Sequence, residues 1–255
     1  MRLSKEELAN RLRLKEYPRS AAYDPEWVLE NLMGPNVLWL AESLCQVLNL
    51  QPNMRVLDLG CGKAISSIFL AREFGVQVWA TDLWIGATDN WSRIRAANMQ
   101  DRVFPIHAEA HALPYAAGFF DAVVSCDAYH YFGTDDLYLG YFAKFVKPGG
   151  QIGIVVPGVQ REFEAGLPSH LADQWDCNFW SFHSPGWWRQ HWDKAGKVTV
   201  GHADTVPDGW RQWLLWLQVC QEAGYPTDAK EVAMLEGDAG RNVAFTRVVA
   251  QRASD

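Results

Sequence analysis

The chain has 255 residues, 49% of them apolar and 21% charged, which is enough for one large core and too apolar for general disorder. Acidic residues outnumber basic ones by 30 to 23, a net charge of −7, and this argues against a chain built to grip nucleic acid, whose phosphates call for basic side chains. No apolar run approaches the roughly 20 residues that span a bilayer, no apolar leader opens the sequence, and the five scattered cysteines (Cys45, Cys61, Cys126, Cys177 and Cys220) suit a reducing compartment. The expectation is a cytoplasmic protein without membrane insertion.

Residues 1–50 read as a helical segment, broken at Tyr17-Pro18 and again at Gly34-Pro35-Asn36. From Val37 to Leu48 the apolar residues Val37, Leu40, Leu44, Val47 and Leu48 fall at helical spacing. A different rhythm starts at Pro52. Short apolar runs at Arg55–Leu59, Val76–Ala80, Arg102–Ile106, Phe120–Ser125 and Gln151–Val156 alternate with helical patterns, one of which ends at Gly75. Another, Leu137 to Phe145, is expected to start from an N-cap at Thr134, with Asp135 and Asp136 in its first turn. Strands that are apolar throughout, separated by helices, imply a parallel sheet covered on both faces, so the fold class is α/β. Beyond a stretch punctuated by Pro and Gly over 157–185, a helix starts near Pro185. Two alternating segments, Lys197–Val206 and Val243–Arg252, read as further strands, with a helix-rich insert between them over 208–236. Thirteen tryptophans are an unusual number, and eight of them lie between Trp175 and Trp216.

The segment Val56-Leu57-Asp58-Leu59-Gly60-Cys61-Gly62 is a buried strand running into two glycines before a helix, at the first strand of the sheet. Ligands of open α/β sheets sit beyond such carboxyl ends, and glycine lets the backbone approach them closely. A dinucleotide site asks for G-x-G-x-x-G, but Ile65 stands at the third position. A phosphate-binding Walker loop is excluded, because Ala64 follows Gly62-Lys63. Asp82 closes the second strand, where a carboxylate can accept from both hydroxyls of a ribose. That acid suits a nicotinamide nucleotide or S-adenosylmethionine (SAM) equally.

Four segments in order carry a resemblance: Val56–Gly62; Ala80-Thr81-Asp82; Glu109-Ala110-His111-Ala112-Leu113-Pro114-Tyr115 with Phe119-Phe120-Asp121; and Lys147-Pro148-Gly149-Gly150. Over roughly 35–160 the sequence resembles the class I, seven-strand SAM-dependent methyltransferases, in particular the small-molecule branch that includes quinone-biosynthesis C-methyltransferases. The resemblance implies a Rossmann-like, doubly wound, mostly parallel seven-stranded sheet with the last strand antiparallel, an N-terminal helical cap over 1–50, and a methyltransferase domain over 51–255 with a helical insert at about 207–242. It implies that Asp58, Gly60, Cys61 and Gly62 line the methionine end of SAM, with Asp58 near the ammonium group. It also implies that Asp82 holds the ribose, that Leu83 and Trp84 pack by the adenine, and that Glu109, with the Ala110 N–H beside it, accepts from the adenine amino group. Two departures stand out: Ala64 replaces the third glycine of the usual G-x-G-x-G, and Glu109 replaces the usual Asp.

The methyl acceptor is expected past the fourth strand, at Ser125-Cys126-Asp127-Ala128-Tyr129-His130-Tyr131. A base is needed only if the acceptor has a proton to lose. His130 either fills that role or hydrogen-bonds a neighbouring loop. Asp127 either orients His130 or contacts the cofactor. No Asn/Asp-Pro-Pro-Tyr/Phe motif stands here, which with the acidic charge counts against DNA or RNA as acceptor. Tyr17, Tyr23, the Gly34-Pro35-Asn36 turn and Tyr129 are candidates to touch ligand, with packing as the competing role. In the Trp-rich region Trp180 and Trp213 are the candidates for acceptor binding, since aromatic faces suit flat or cationic small molecules, with core packing or a dimer contact as the competing role. The histidines and cysteines show no metal-ligand spacing, so no metal is expected. The sequence therefore predicts a methyltransferase acting on O, N or C of a small molecule and releasing S-adenosylhomocysteine (SAH), as a monomer or homodimer. A nicotinamide-dependent oxidoreductase and a non-catalytic SAM-binding protein are the alternatives.

Overall fold

Strand β1 (Arg55–Leu59) shows how the sheet is built. Val56 faces a core shared with Leu44, Ile68 and Phe69, while its neighbour Leu57 faces a second core with Phe142, Trp188 and Trp192. Because successive side chains point to opposite faces, a run without polar interruption needs both faces covered. The other parallel strands are β2 (Gln77–Asp82), β3 (Val103–His107), β4 (Phe120–Cys126) and β5 (Val146–Val159); of these, edge strand β3 buries only Val103. The computed structural model describes residues 3–254. With β6 (Val198–Thr205) and β7 (Val243–Arg252) the sheet has seven strands in the order β3-β2-β1-β4-β5-β7-β6. Strand β7 runs antiparallel to both β5 and β6. This is the doubly wound sheet with an antiparallel last strand that the sequence implied.

Three helices precede the sheet: α1 (Lys5–Leu12), α2 (Pro25–Glu30) and α3 (Val37–Cys45). Each starts on a residue able to satisfy free N–H groups. Ser4 and Glu7 form a capping box, the Asp24 carboxylate accepts from Glu26 N, and Asn36 Oδ1 accepts from Leu38 N and Trp39 N. Both expected breaks fall between these helices. Helix α4 (Ile65–Phe74) follows β1 and ends on Gly75 with φ 66°, and α5 (Ala87–Ala96) links β2 to β3.

The next helix corrects an expectation. Helix α6 spans only Tyr138–Phe142 and does not start from Thr134. Its N-cap is Leu137, three residues later, and the Asp135 carboxylate takes the N–H groups of Leu137 and Tyr138 (2.7 and 3.1 Å). Strand β5 is also longer than the apolar run suggests, because the register shifts opposite Phe120/Ala122 and carries Lys147-Pro148-Gly149-Gly150 into the sheet. Helix α7 (Pro185–Lys194) is capped by Ser184 and buries Trp188 and Trp192 completely. The insert between β6 and β7 is a pair of helices, α8 (Gly209–Glu222) and α9 (Ala229–Asp238). Among the described residues no helix is long and apolar enough to cross a membrane. The strand order reverses between β1 and β4, and their carboxyl ends open a crevice at that point.

Candidate functional site

The turn after β1 needs conformations that side chains resist. Gly60 and Gly62 have φ of 74° and 53°, and Ala64, the departure from the usual third glycine, is itself left-handed at 60°. Space enforces the first glycine as well, since a Cβ on Gly60 would lie 2.2 Å from Ala128 Cβ. The turn is laced to the end of β2: Gly60 N and Cys61 N donate to Thr81 O, and Gly62 N donates to Asp82 Oδ2 at 2.8 Å. The other Asp82 oxygen accepts from Trp84 N and Ile85 N at 2.8 and 2.9 Å. Asp82 is thus fixed by three backbone N–H groups, with its carboxylate on the cavity wall.

That cavity has a volume of about 330 Å³ and occupies the crevice between β1 and β4. Of the residues expected to hold a cofactor, Gly60, Cys61, Gly62, Asp82, Leu83, Trp84, Glu109, Ala110 and Asp127 all line it. Leu83 and Trp84 are exposed at its mouth, where the Trp84 ring lies 5.7 Å from Tyr131. Glu109 accepts from His111 N (2.8 Å) and pairs with His111 Nδ1 (2.6 Å), which holds its carboxyl below its ordinary range. Asp127 follows β4 in a left-handed conformation (φ 56°), with its N–H donated to Val155 O. Burial, and after it the Glu231 carboxylate, pushes the Asp127 carboxyl up to about 8.

Asp58 lies elsewhere than expected. It is fully buried beneath the turn, its Oδ2 accepting from the Ser66 and Ser67 hydroxyls (2.6 Å each), and it does not line the cavity. Its Oδ1 has no partner, and burial pushes the carboxyl up to about 6. A negative charge under the turn, more than a wall contact, is what Asp58 provides.

The acceptor-side expectations need more correction. His130 is 2% exposed, with its ring against Tyr131 and Phe182, and is not on the cavity wall. Burial lowers its pKa to about 3, so it stays neutral and is a poor proton acceptor. Tyr129 is wholly buried among Phe142, Trp188 and Trp192. Tyr17 is buried and donates to Gln212 Oε1, and Tyr23 donates to Glu73 Oε1; neither reaches the cavity. Trp180 is exposed against Trp175, and Trp213 packs on Phe245. Of these residues only Trp180 is exposed, and none is on the cavity wall. Within the Gly34-Pro35-Asn36 turn, Gly34 and Pro35 do line the cavity, while Asn36 caps α3.

Several wall residues were missed by the sequence reading, and three of them matter most. Trp216 lies one helical turn past Trp213 and lines the cavity from the insert, donating its indole N–H to Gly34 O at 2.8 Å. Helical phase does not separate it from Trp213, since both pack on the face of Leu217 and Cys220. Met33 stands over the glycine turn, its Sδ only 2.7 Å from where a Cβ on Gly62 would be. Lys63 donates to Glu30 O and Leu32 O, both at 3.3 Å, and brings a cation to the wall beside the turn. Among the described residues no group of three or more His, Cys, Asp or Glu side chains is placed to hold a metal ion.

Residues 56–150 match the sequence family described as "Methyltransferase domain". The chain is 32% identical over 144 residues to erythromycin 3''-O-methyltransferase of Saccharopolyspora erythraea, covering 53% of this chain and 45% of that protein. It is 30% identical over 125 residues to demethylmenaquinone methyltransferase of a Mycobacterium species, covering 47% and 48% respectively. The chain thus spans about half the length of these relatives. The fold is similar to that of geranyl diphosphate C-methyltransferase from Streptomyces coelicolor A3(2), solved with Mg2+, geranyl diphosphate and SAH. The TM-score is 0.66, with 19% identity and coverage of 84% of this chain and 78% of that one.

Proposed function

We propose that this chain, whose residues 56–150 form a methyltransferase domain within the class I fold, moves a methyl group from SAM to a nitrogen, oxygen or carbon atom of a small organic molecule. Two observations support this reading: Asp82, which suits a nucleoside, and the family match over 56–150, which favours SAM over a nicotinamide nucleotide. A carboxylate fixed by three backbone N–H groups at the end of β2, with one oxygen tied to the glycine turn, is suited to accept from ribose hydroxyls in the adjoining cavity. The surroundings fit the rest of the cofactor. Gly60 and Gly62 leave a cradle that a Cβ would fill. Leu83 and Trp84 offer apolar surface for the adenine, with the Glu109 carboxylate and Ala110 at the same end.

When bound, SAM supplies a methyl carbon on a sulfonium, and the electron pair of the broken C–S bond returns to sulfur as SAH forms. The work left to this chain is positioning and the exclusion of water. Val28, Leu32, Pro35, Val37, Phe132 and Trp216 supply apolar wall, and Asp127 is the acidic group near them. A hydroxyl or amine acceptor must lose a proton as its lone pair attacks. Asp127, pushed up to about 8 by burial, holds its own proton below that pH; ionised above it, it is placed to receive the acceptor's proton, and in this reading it replaces His130 as the base. The apolar wall and the net charge of −7 favour a small molecule over a nucleic acid. Five unpaired thiols suit the reducing cytoplasm.

Calorimetry with SAM, SAH and NAD tests the reading. Micromolar binding of SAM and SAH, with none of NAD, is expected. No SAM binding, or a preference for NAD, refutes it. Incubation of metabolite extracts with isotopically methyl-labelled SAM, read by mass spectrometry, then identifies the acceptor.

A further inference from the structure

The loop 31–36 crosses the cavity between the glycine turn, which carries proposed cofactor contacts, and the turn after β4 that carries Asp127. At one end Met33 lies over Gly62, and at the other Gly34 is pressed so closely on Asp127 that a Cβ there would sit 2.5 Å from Asp127 Oδ2. Two tethers on the side of α4 and α5 hold the start of the loop: Lys63 Nζ donates to Leu32 O, and Arg93 Nε donates to Asn31 Oδ1 at 3.1 Å. The far end has a different anchor, the indole N–H of Trp216 on Gly34 O, contributed by the insert more than 180 positions away in sequence. Trp216 is 1% exposed, so leaving its N–H unpaired would be costly, while Gly34 is half-buried.

The insert is joined to the N-terminal segment at further points. Arg11 makes a two-pronged ion pair with Glu222 (2.7 and 3.0 Å), Tyr17 donates to Gln212, and the Trp39 ring meets Trp216 edge-on at 6.2 Å. The N-terminal helices and the insert are thus joined over the cavity, and Trp216 is the member of the insert that both bonds the loop and lines the cavity.

Resting on the SAM-binding reading above, we propose that Trp216 is a positioning residue for the cofactor: its N–H bond to Gly34 latches the 31–36 loop across the cavity, so that the acceptor-side insert and the cofactor-side loop open and close together. An acceptor that displaces α8 would then also loosen the hold on the cofactor, and a closed insert would retain it.

The test compares wild type with Trp216→Phe, which keeps a ring but removes the N–H, and with Trp213→Phe, one turn earlier, buried and off the cavity wall. Dissociation of labelled SAH is expected to quicken about three- to tenfold in Trp216→Phe, the value of one hydrogen bond, with association within about twofold of wild type. In the cofactor-free protein, amide hydrogen exchange over 31–36 should rise in Trp216→Phe while exchange in α8 stays put. Trp213→Phe should change neither. Should Trp216→Phe fail to fold, β-(3-benzothienyl)alanine at 216 retains the fused ring and replaces N–H by sulfur. Wild-type loop exchange in the Trp216 variant, or equal effects from Trp213→Phe, overturns the proposal. Failure of wild type to bind SAH refutes the function instead, and the exchange measurement still decides the latch.

Discussion

The Asp127 carboxyl ties the site to a measurable pH dependence. It titrates near 8 in the fold against an ordinary 3.8, because burial disfavours its charge and the Glu231 carboxylate adds to the effect. Between those two pH values the folded chain holds a proton that the unfolded chain has lost, so stability falls as pH rises through this window. Each pH unit is worth about 1.4 kcal/mol, so the ceiling is about 6 kcal/mol. The carboxyl faces a cavity and not apolar packing, and screening there brings the expectation down to about 2–3 kcal/mol. Asp127→Asn removes the ionisable group at nearly constant volume. Urea unfolding of the cofactor-free protein at pH 5 and pH 8.5 should show wild type losing about that much more than the variant. Parallel losses in the two proteins would refute the argument, and the assignment of Asp127 as proton acceptor would lose its physical basis.

Three further outcomes are expected. Asp82→Ala strands three backbone N–H groups as well as any ribose hydroxyl, so SAH affinity in calorimetry should fall by at least about 1–3 kcal/mol, and by less for Asp82→Asn. Gly60→Ala meets both a left-handed backbone and a Cβ 2.2 Å from Ala128, and should cost more than about 2 kcal/mol in thermal or urea unfolding. His130→Asn should leave SAH affinity within about twofold. Once an acceptor is identified, a fall in turnover of about 10²-fold with SAH affinity intact would restore His130 as the base.

What the sequence made legible was whatever depends on backbone. Glycines at left-handed φ, a carboxylate closing a strand and apolar runs of strand length announce themselves, because few residue types serve in those places. The end of β2 illustrates this: Asp82 was readable because its three N–H partners are main chain. Residues whose role depends on which neighbour is nearest were not readable. Trp213 and Trp216 are both buried tryptophans on one helix, and only the position of α8 against the 31–36 loop decides that the second reaches the cavity. His130 was read from its ordinary titration range, but Phe182 and Tyr131 bury it and take it out of that range. Asp58, legible as a motif residue, proved to serve the turn from below through two serine hydroxyls that the motif does not specify.

Strand β7 makes the order of synthesis matter. The cavity walls come from residues 28–132 together with Trp216, yet the sheet that supports them is finished by Val243–Arg252, which slots between β5 and β6. Until that strand leaves the ribosome, two neighbouring strands present unpaired edges, and Asp204 and the carbonyl of Ser43 lack the Arg247 guanidinium that bonds both. The nascent chain therefore holds its ligand-binding half before it can stabilise it. Shortening it by even a few residues within β7 should yield an aggregating product in preference to a weakened enzyme.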